Sequence, residues 1–244
     1  MNLITYSISD AIFEQFPQFF RGVVVAEGVA NRKSPPELIK MLREEERSLR
    51  QRIMAETMAT EPRIISWREA FRSLGIKISE YRPSVEAMAR RVINGHNLPD
   101  INALVDIGNI ISLRYLLPVG GHSLNNVASD LSLRSAHGSE EFIPFGSDQI
   151  EHPDAGEFIF AEANHVLTRR WVWRQSNHTI TELSTTAIEF NLDGLPPLST
   201  EDILACGREI EALVGKFCGG KFTQQILDKT HPEMVIGLTN HVNN

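Results

Sequence analysis

A change of periodicity near residue 125 constrains this fold more than any other feature of the sequence. Before it, apolar residues recur at helical spacing. "NRKSPPELIKMLREEERSLRQRIMAE" puts Leu38, Met41 and Leu42 on one stripe, with Ser34 as N-cap and prolines in the first turn. "SWREAFRSLGIK" has Ser66 and Glu69 spaced as a capping box and ends at Gly75, and "RPSVEAMARRVING" is a further helix closed by Gly95. "INALVDIGNIISLRYLL" is apolar on more than one face, which predicts a buried helix, and "PVGG" ends it as a turn. After residue 125, "DLSLRSA", "EEFIPF", "GEFIFAE", "HVLTRRWVW" and "TAIEFNLDG" are short, alternating or β-branched, and Gly, Pro, Asn or Asp separates them. That texture predicts a mainly antiparallel sheet region. "LITYSI" and "RGVVVAEGV" read as strands near the N-terminus, and "STEDILACGREIEALVGKFCGG" as a capped helix near the other end. "KFTQQILD" predicts an edge strand, and residues 230–244 a loose tail. The class is α/β (α+β), with helices packed on the sheet region, in one domain over residues 1–244.

Composition narrows the function. The chain has 244 residues, a net charge of -7 and a pI of about 5.6. An acidic body argues against bulk binding of DNA or RNA, although a local basic patch is compatible with it. No apolar run approaches the roughly 18–20 residues of a membrane span. The start, "MNLITYSISD", lacks the pattern of a signal peptide, so a cytoplasmic protein is expected. Cys206 and Cys218 share one predicted helix, which predicts reduced core thiols rather than a disulfide framework.

The familiar phosphate-loop, dinucleotide, nucleophile-elbow and CxxC motifs are missing, and the eight histidines lack zinc-ligand spacing; no cofactor or metal is expected. Three spots remain. In "VDIGNIISLRY", Asp106 and Asn109 are polar within an apolar helix, either as local caps or, for Asn109, as a carboxamide presented to a pocket. In "LPVGGH", Gly120 and Gly121 form a plain turn or let the backbone approach a ligand, with His122 as a candidate general base or polar contact. "LTRRWVWRQ" holds two of the three tryptophans beside Arg169, Arg170 and Arg174. As one strand it would put Arg169, Trp171 and Trp173 on one face and Arg170, Val172 and Arg174 on the other.

Together these stretches, with "EFIPFG", "GEFIFAE" and "ELSTTAIEF", resemble the B3/B4 domain family over about Trp67–Leu213. The N-terminal residues 1–62 then form an extension. That domain edits within the beta subunit of bacterial phenylalanyl-tRNA synthetase and also occurs as freestanding proteins of about this length. The resemblance implies hydrolysis of wrongly charged aminoacyl-tRNA, chiefly tyrosine on the phenylalanine tRNA, and no ligase activity, since the synthetase's catalytic-core signatures are not recognisable. It implies a pocket around Asn109, which matches the family asparagine, and Pro118, which matches the loop proline. Gly108 stands at the family's threonine, Gly120 at its histidine with His122 two residues on, Val172–Gln175 at its glycine-rich loop, and Asn191 at its glutamate. Glu189 is assigned to the opposite strand face.

The expected activity is a trans-editing aminoacyl-tRNA deacylase. Asn109 and His122 serve the chemistry; Gly108, Gly120, Gly121, Trp171, Val172, Trp173 and Asn191 contact substrate. Arg169, Arg170, Arg174, Arg90 and Arg91 meet RNA phosphates. The expected partners are aminoacyl-tRNA and a synthetase or elongation factor. Two other readings stay open: a non-catalytic module that binds tRNA or an amino acid, and a small-molecule enzyme or scaffold with an adopted pocket.

Overall fold

A computed structural model of the chain describes residues 2–238. The α/β class holds, with two mostly antiparallel sheets stacked face to face. Strands β1 (Asn2–Ile8), β4 (Leu131–Ser135), β5 (Phe158–Glu162), β6 (His165–Arg169), β7 (Arg174–Gln175) and β10 (Glu233–Leu238) form a six-stranded sheet in the order β10-β1-β4-β5-β6-β7. Its one parallel pair is β1 with β4. Strands β2 (Phe20–Glu27), β3 (Val119–Ser123), β8 (Ala187–Gly194) and β9 (Lys221–Leu227) form the second, in the order β3-β8-β2-β9.

Six helices complete the described residues: α1 (Asp10–Gln15), α2 (Pro36–Arg52), α3 (Pro62–Ser73), α4 (Ser84–Ile93), α5 (Ala103–Tyr115) and α6 (Thr200–Phe217). Helices α5 and α6 pack on the four-stranded sheet, and α2 packs behind α5. Strand β2 is central and covered on both faces, which is why "VVVA" is an unbroken apolar run rather than an alternating one. Its Gly22, Val24 and Ala26 face the helices, while Arg21, Val23 and Val25 face the other sheet. Helix α6 is capped as its sequence reads, with Ser199 and Asp202 forming a capping box, and Cys206 and Cys218 are buried free thiols. Strand β9 is an edge strand, as expected. Among the described residues no helix is long and apolar enough to cross a membrane.

Several local expectations are corrected. "PVGG" is not a turn: residues 119–123 pair with β8 as an edge strand. Helix α3 starts one turn before Ser66, with Glu61 as N-cap, and the Ser66 hydroxyl instead meets the carbonyls of Pro62 and Pro196. Ser34 does not cap α2; Pro35 precedes the first turn and the Ser34 hydroxyl donates to Asp106. "EEFIPF" makes only isolated bridges at Glu141, Phe142 and Pro144. "HVLTRRWVW" breaks after Arg169. The tail is ordered as β10 through residue 238, paired with β1; residues 239–244 lie outside the described residues. The short helix α1 had no sequence signal strong enough to predict it.

Close packing of β2 against α6 depends on Gly22. A Cβ there would run into Cγ2 of Ile203, a branched and fully buried side chain with nowhere to move. Gly215, by contrast, is exposed within α6, and a Cβ would meet Phe222 only at 3.6 Å. Gly22→Ala should therefore destabilise the protein by about 1–3 kcal/mol through overpacking. Gly215→Ala should stabilise it by about 0.5–1 kcal/mol by restricting the unfolded chain and favouring helix. Urea unfolding of the two variants checks both signs; equal midpoints would contradict the packing account.

Candidate functional site

The faces that the two sheets turn toward each other are unusually polar. Strand β8 contributes Glu189, Asn191 and Asp193, all buried, on the face opposite the helix-facing Ile188, Phe190 and Leu192. Strand alternation puts Glu189 and Asn191 on the same face, and Asn191 Nδ2 donates to Glu189 Oε1 at 3.3 Å. The expected assignment of Glu189 to the opposite face is thus corrected. Arg21 on β2 grips Asp193 through two bonds of 2.6 and 2.9 Å, and its third nitrogen donates to Tyr6 of β1 at 2.9 Å. Its guanidinium also lies over the Phe160 ring of β5 at 5.2 Å. Burial works against the Arg21 charge, but Asp193 more than offsets it and holds the guanidinium above its ordinary value.

His122 belongs to this interior layer. It is 1% exposed, with Nδ1 2.7 Å from Thr179 Oγ1, Nε2 3.3 Å from Thr168 Oγ1, and its ring against Phe160. Burial, helped by the Arg21 charge, lowers its pKa to about 3. The expected role of His122 as a general base is therefore corrected: it is a neutral core imidazole, and neither cavity beside β3 includes it. Burial likewise pushes the Glu189 carboxyl up to about 8, against the opposing pull of Arg21. One of its oxygens, Oε2, is buried without a partner.

Asn109, Arg174 and the expected substrate-contacting residues fall in two cavities on opposite sides of β3. The inter-sheet cavity, about 80 Å³, is bordered by Gly120, Asn191, Trp171, Val172, Trp173 and Arg174. Gly120 has no Cβ because Asn191 occupies that space, and its N–H donates to Asn191 Oδ1 at 3.1 Å. The second cavity, about 120 Å³, lies between α5 and the sheet and contains Gly108, Asn109 and Gly121. No hydrogen bond engages the Asn109 amide among the described residues. Across the same cavity the Thr181 hydroxyl is buried without a partner. Gly121 turns its carbonyl away from β8, to Gln175 Nε2 at 2.9 Å, and its N–H points to the same outward side. Asn109 and Asn191 are thus not brought together; β3 stands between them.

The arginine patch is largely dissolved. Arg170 and Trp171 adopt left-handed backbone, with φ of 47° and 65°, which ends β6. Glu157 holds that break: it accepts from Arg169 Nε and Nη2, from the Arg170 backbone N–H and from Arg170 Nη1. Arg170 also stacks on Tyr81 at 3.8 Å. Arg169 and Arg170 are only 7% and 8% exposed, so their expected contact with phosphates is corrected to structural ion pairing. Arg90 pairs with Glu86, and Arg91 donates to the Asn97 carbonyl. Arg174 alone of the five is exposed and unpaired, at the rim of the inter-sheet cavity. Trp171 is core, packed against Phe16, Phe19 and Trp67 at 4.8–5.1 Å, whereas Trp173 is half-buried against Tyr81.

The two perturbed groups act oppositely on stability. Glu189 ionises near 4.5 when unfolded but near 8 in the fold, so its contribution is complete below pH 4.5 and lost as pH rises to 8. His122 takes up a proton near 6.5 when unfolded but near 3 in the fold, so stability falls as pH drops from 6.5 to 3. Denaturant midpoints measured across this range should show Glu189→Gln flattening the alkaline-side fall while leaving the acid-side fall intact. An unchanged slope above pH 4.5 would mean Glu189 is not the group responsible.

The family model for the B3/4 domain matches residues 66–205, more than half of the chain. None of the curated proteins matches it. Among solved structures, the chain is similar to an N-terminal fragment of the phenylalanyl-tRNA synthetase beta-subunit from Pyrococcus horikoshii. The likeness has 10% identity and a TM-score of 0.46, and it covers 96% of this chain and 54% of that one. The chain thus spans about half the length of that fragment. The matched residues 66–205 contain α5, β3 and β8, the elements that carry Asn109, Gly120 and Asn191, and by that match this chain belongs to the B3/4 domain family.

Proposed function

We propose that this chain acts in the cytoplasm, hydrolysing the ester bond of mischarged aminoacyl-tRNA. The observation that carries the reading is the uncommitted carboxamide of Asn109, facing a cavity that also holds Gly121 and the unpartnered Thr181 hydroxyl. A half-buried side-chain amide with no internal partner is available to a ligand. Family membership and the sequence likeness to an editing domain supply the chemistry. An aminoacyl ester is already activated, so a held water and fixed donors toward the developing oxyanion suffice without a triad. Asn109 and the outward Gly121 N–H fit that task. Gly120 does not, because Asn191 occupies its N–H. Arg174, without a partner among the described residues at the rim of the inter-sheet cavity across β3, supports a phosphate contact, and Trp173 beside it offers a face for a terminal base.

One observation favours the alternative, a module that binds tRNA or an amino acid without cleaving it. Among the described residues no ionisable side chain lines the Asn109 cavity, so proton transfer there would use water or the substrate's own ribose hydroxyl.

A deacylation assay across tRNAs each charged with one amino acid separates the two. The hydrolase reading expects turnover on at least one, with kcat/KM lowered about 10²-fold or more in Asn109→Ala. Retained tRNA binding with no turnover on any member would establish the binding module instead. Arg174→Ala should weaken tRNA affinity across all charged forms and reduce the salt slope of binding by about one. An unchanged slope would remove Arg174 from the RNA contact.

A further inference from the structure

Gln175 and Val119 are the two residues common to the linings of both cavities. Gln175 stands on the two-residue strand β7, directly after the left-handed break at Arg170 and Trp171. Its amide lies along the outer edge of β3. Nε2 donates to the Gly121 carbonyl at 2.9 Å and is 3.3 Å from both the Thr179 carbonyl and His122 Nδ1. The side chain is thus pinned between the space in front of Asn191 and the space in front of Asn109.

The two spaces, about 80 and 120 Å³, are each small. A cavity of about 150 Å³ is what holds one benzene molecule in a protein interior. Each space is therefore smaller than that while Gln175 stays in place. The larger one has apolar walls from Leu104, Ile188 and Phe190, and the unpartnered Thr181 hydroxyl lies within it. Such a lining suits a compact apolar group carrying one hydrogen-bonding atom.

We propose that Gln175 is the size filter of this site. By closing the outer edge of β3, around which the two cavities face each other, it restricts the substrate to small aliphatic or hydroxyl-bearing aminoacyl groups and excludes aromatic ones. The proposal rests on reading the site as one for aminoacyl esters, but the filter itself is a geometric property and is testable without catalysis. Removing the amide joins the two spaces into one long enough for a ring. Replacing it with an apolar side chain of similar length keeps them apart.

The test compares the full chain with Gln175→Ala and Gln175→Met, using two probes. Phenol, the ring of tyrosine without its backbone, is titrated into isotopically labelled protein and followed by backbone amide shifts. The parent and Gln175→Met should show no saturable shifts near β3. Gln175→Ala should bind phenol, with shifts centred on Gly121 and Thr181. Binding of phenol at β3 by the parent, or its absence in folded Gln175→Ala, overturns the filter. If Gln175→Ala does not fold, Gln175→Ser is held to the same outcomes. The second probe is a set of tRNAs charged with alanine, serine, threonine, valine or tyrosine. The parent should act on one or more of the small esters and spare tyrosine, and Gln175→Ala should gain at least about 10-fold on the tyrosyl ester. Equal turnover of tyrosyl and small esters by the parent refutes the filter and leaves the hydrolase standing. No turnover of any ester, with phenol behaving as expected, refutes the hydrolase and leaves the filter standing.

Discussion

The buried pair of Arg21 and Asp193 is the contact on which the two-sheet architecture turns. Both side chains are 1% exposed, so each would carry a large desolvation cost if left alone. The geometry supplies what such a pair needs. Two nitrogens of the fork meet both carboxylate oxygens, a third meets the Tyr6 hydroxyl, and Phe160 lies beneath the guanidinium. Arg21 and Asp193 come from β2 and β8 of one sheet, and Tyr6 and Phe160 from β1 and β5 of the other. A register slip of one residue in β2 would turn Arg21 into the α6 interface and abandon Asp193. The ion pair therefore contributes less as net stability than as a specification of register and sheet spacing.

The same charge pattern sets the state of its neighbours. Burial disfavours a charge on His122 and Arg21 adds to this, so the imidazole stays neutral between two threonine hydroxyls. Glu189 remains protonated near neutral pH for the corresponding reason, its desolvation outweighing the attraction of Arg21. Asn191 is held between Glu189 and the Gly120 N–H. Apart from Glu189 Oε2, the inter-sheet layer thus spends its polar groups on one another. Across β3, Asn109 and Thr181 are uncommitted among the described residues. Among the described residues their cavity is lined by uncharged side chains and backbone, with no titrating group.

Much of the fold was legible because local signals and tertiary demands agree. The apolar run of β2, the capping box of α6, the all-round apolar α5 and the glycine stops after α3 and α4 each point to the element that forms. The failures share a cause: a distant partner decides the local conformation. Two consecutive glycines read as a turn, yet β8 recruits them as an edge strand, and Asn191 fills the space that a side chain at Gly120 would need. Arg169 and Arg170 read as an exposed cationic pair, yet Glu157, twelve and thirteen residues earlier, closes on both. The acidic partner was visible in the sequence, but its pairing was not. Asn109 was identifiable as a polar residue on a buried helix, whereas Thr181 and Gln175 carry no local mark at all. Glu189 differs from these cases, since strand periodicity alone places it beside Asn191.

"LTRRWVWRQ" shows how one local break distributes several roles. A continuous strand would alternate these side chains between two faces. Instead the left-handed pair at Arg170 and Trp171 reverses the chain within a few residues. Backbone strain of this kind costs about 1–2 kcal/mol per residue and must be offset nearby. Glu157 accepts the Arg170 N–H, the Trp171 N–H donates to Phe158 at 2.7 Å, and the indole of Trp171 fills an aromatic cluster with Trp67, Phe16 and Phe19. Those contacts anchor the turn in the core. Past it, Arg174 emerges unpaired into solvent and Gln175 is delivered to the edge of β3. The first tryptophan and the arginine pair build the turn, and the turn places the residues that face the cavities.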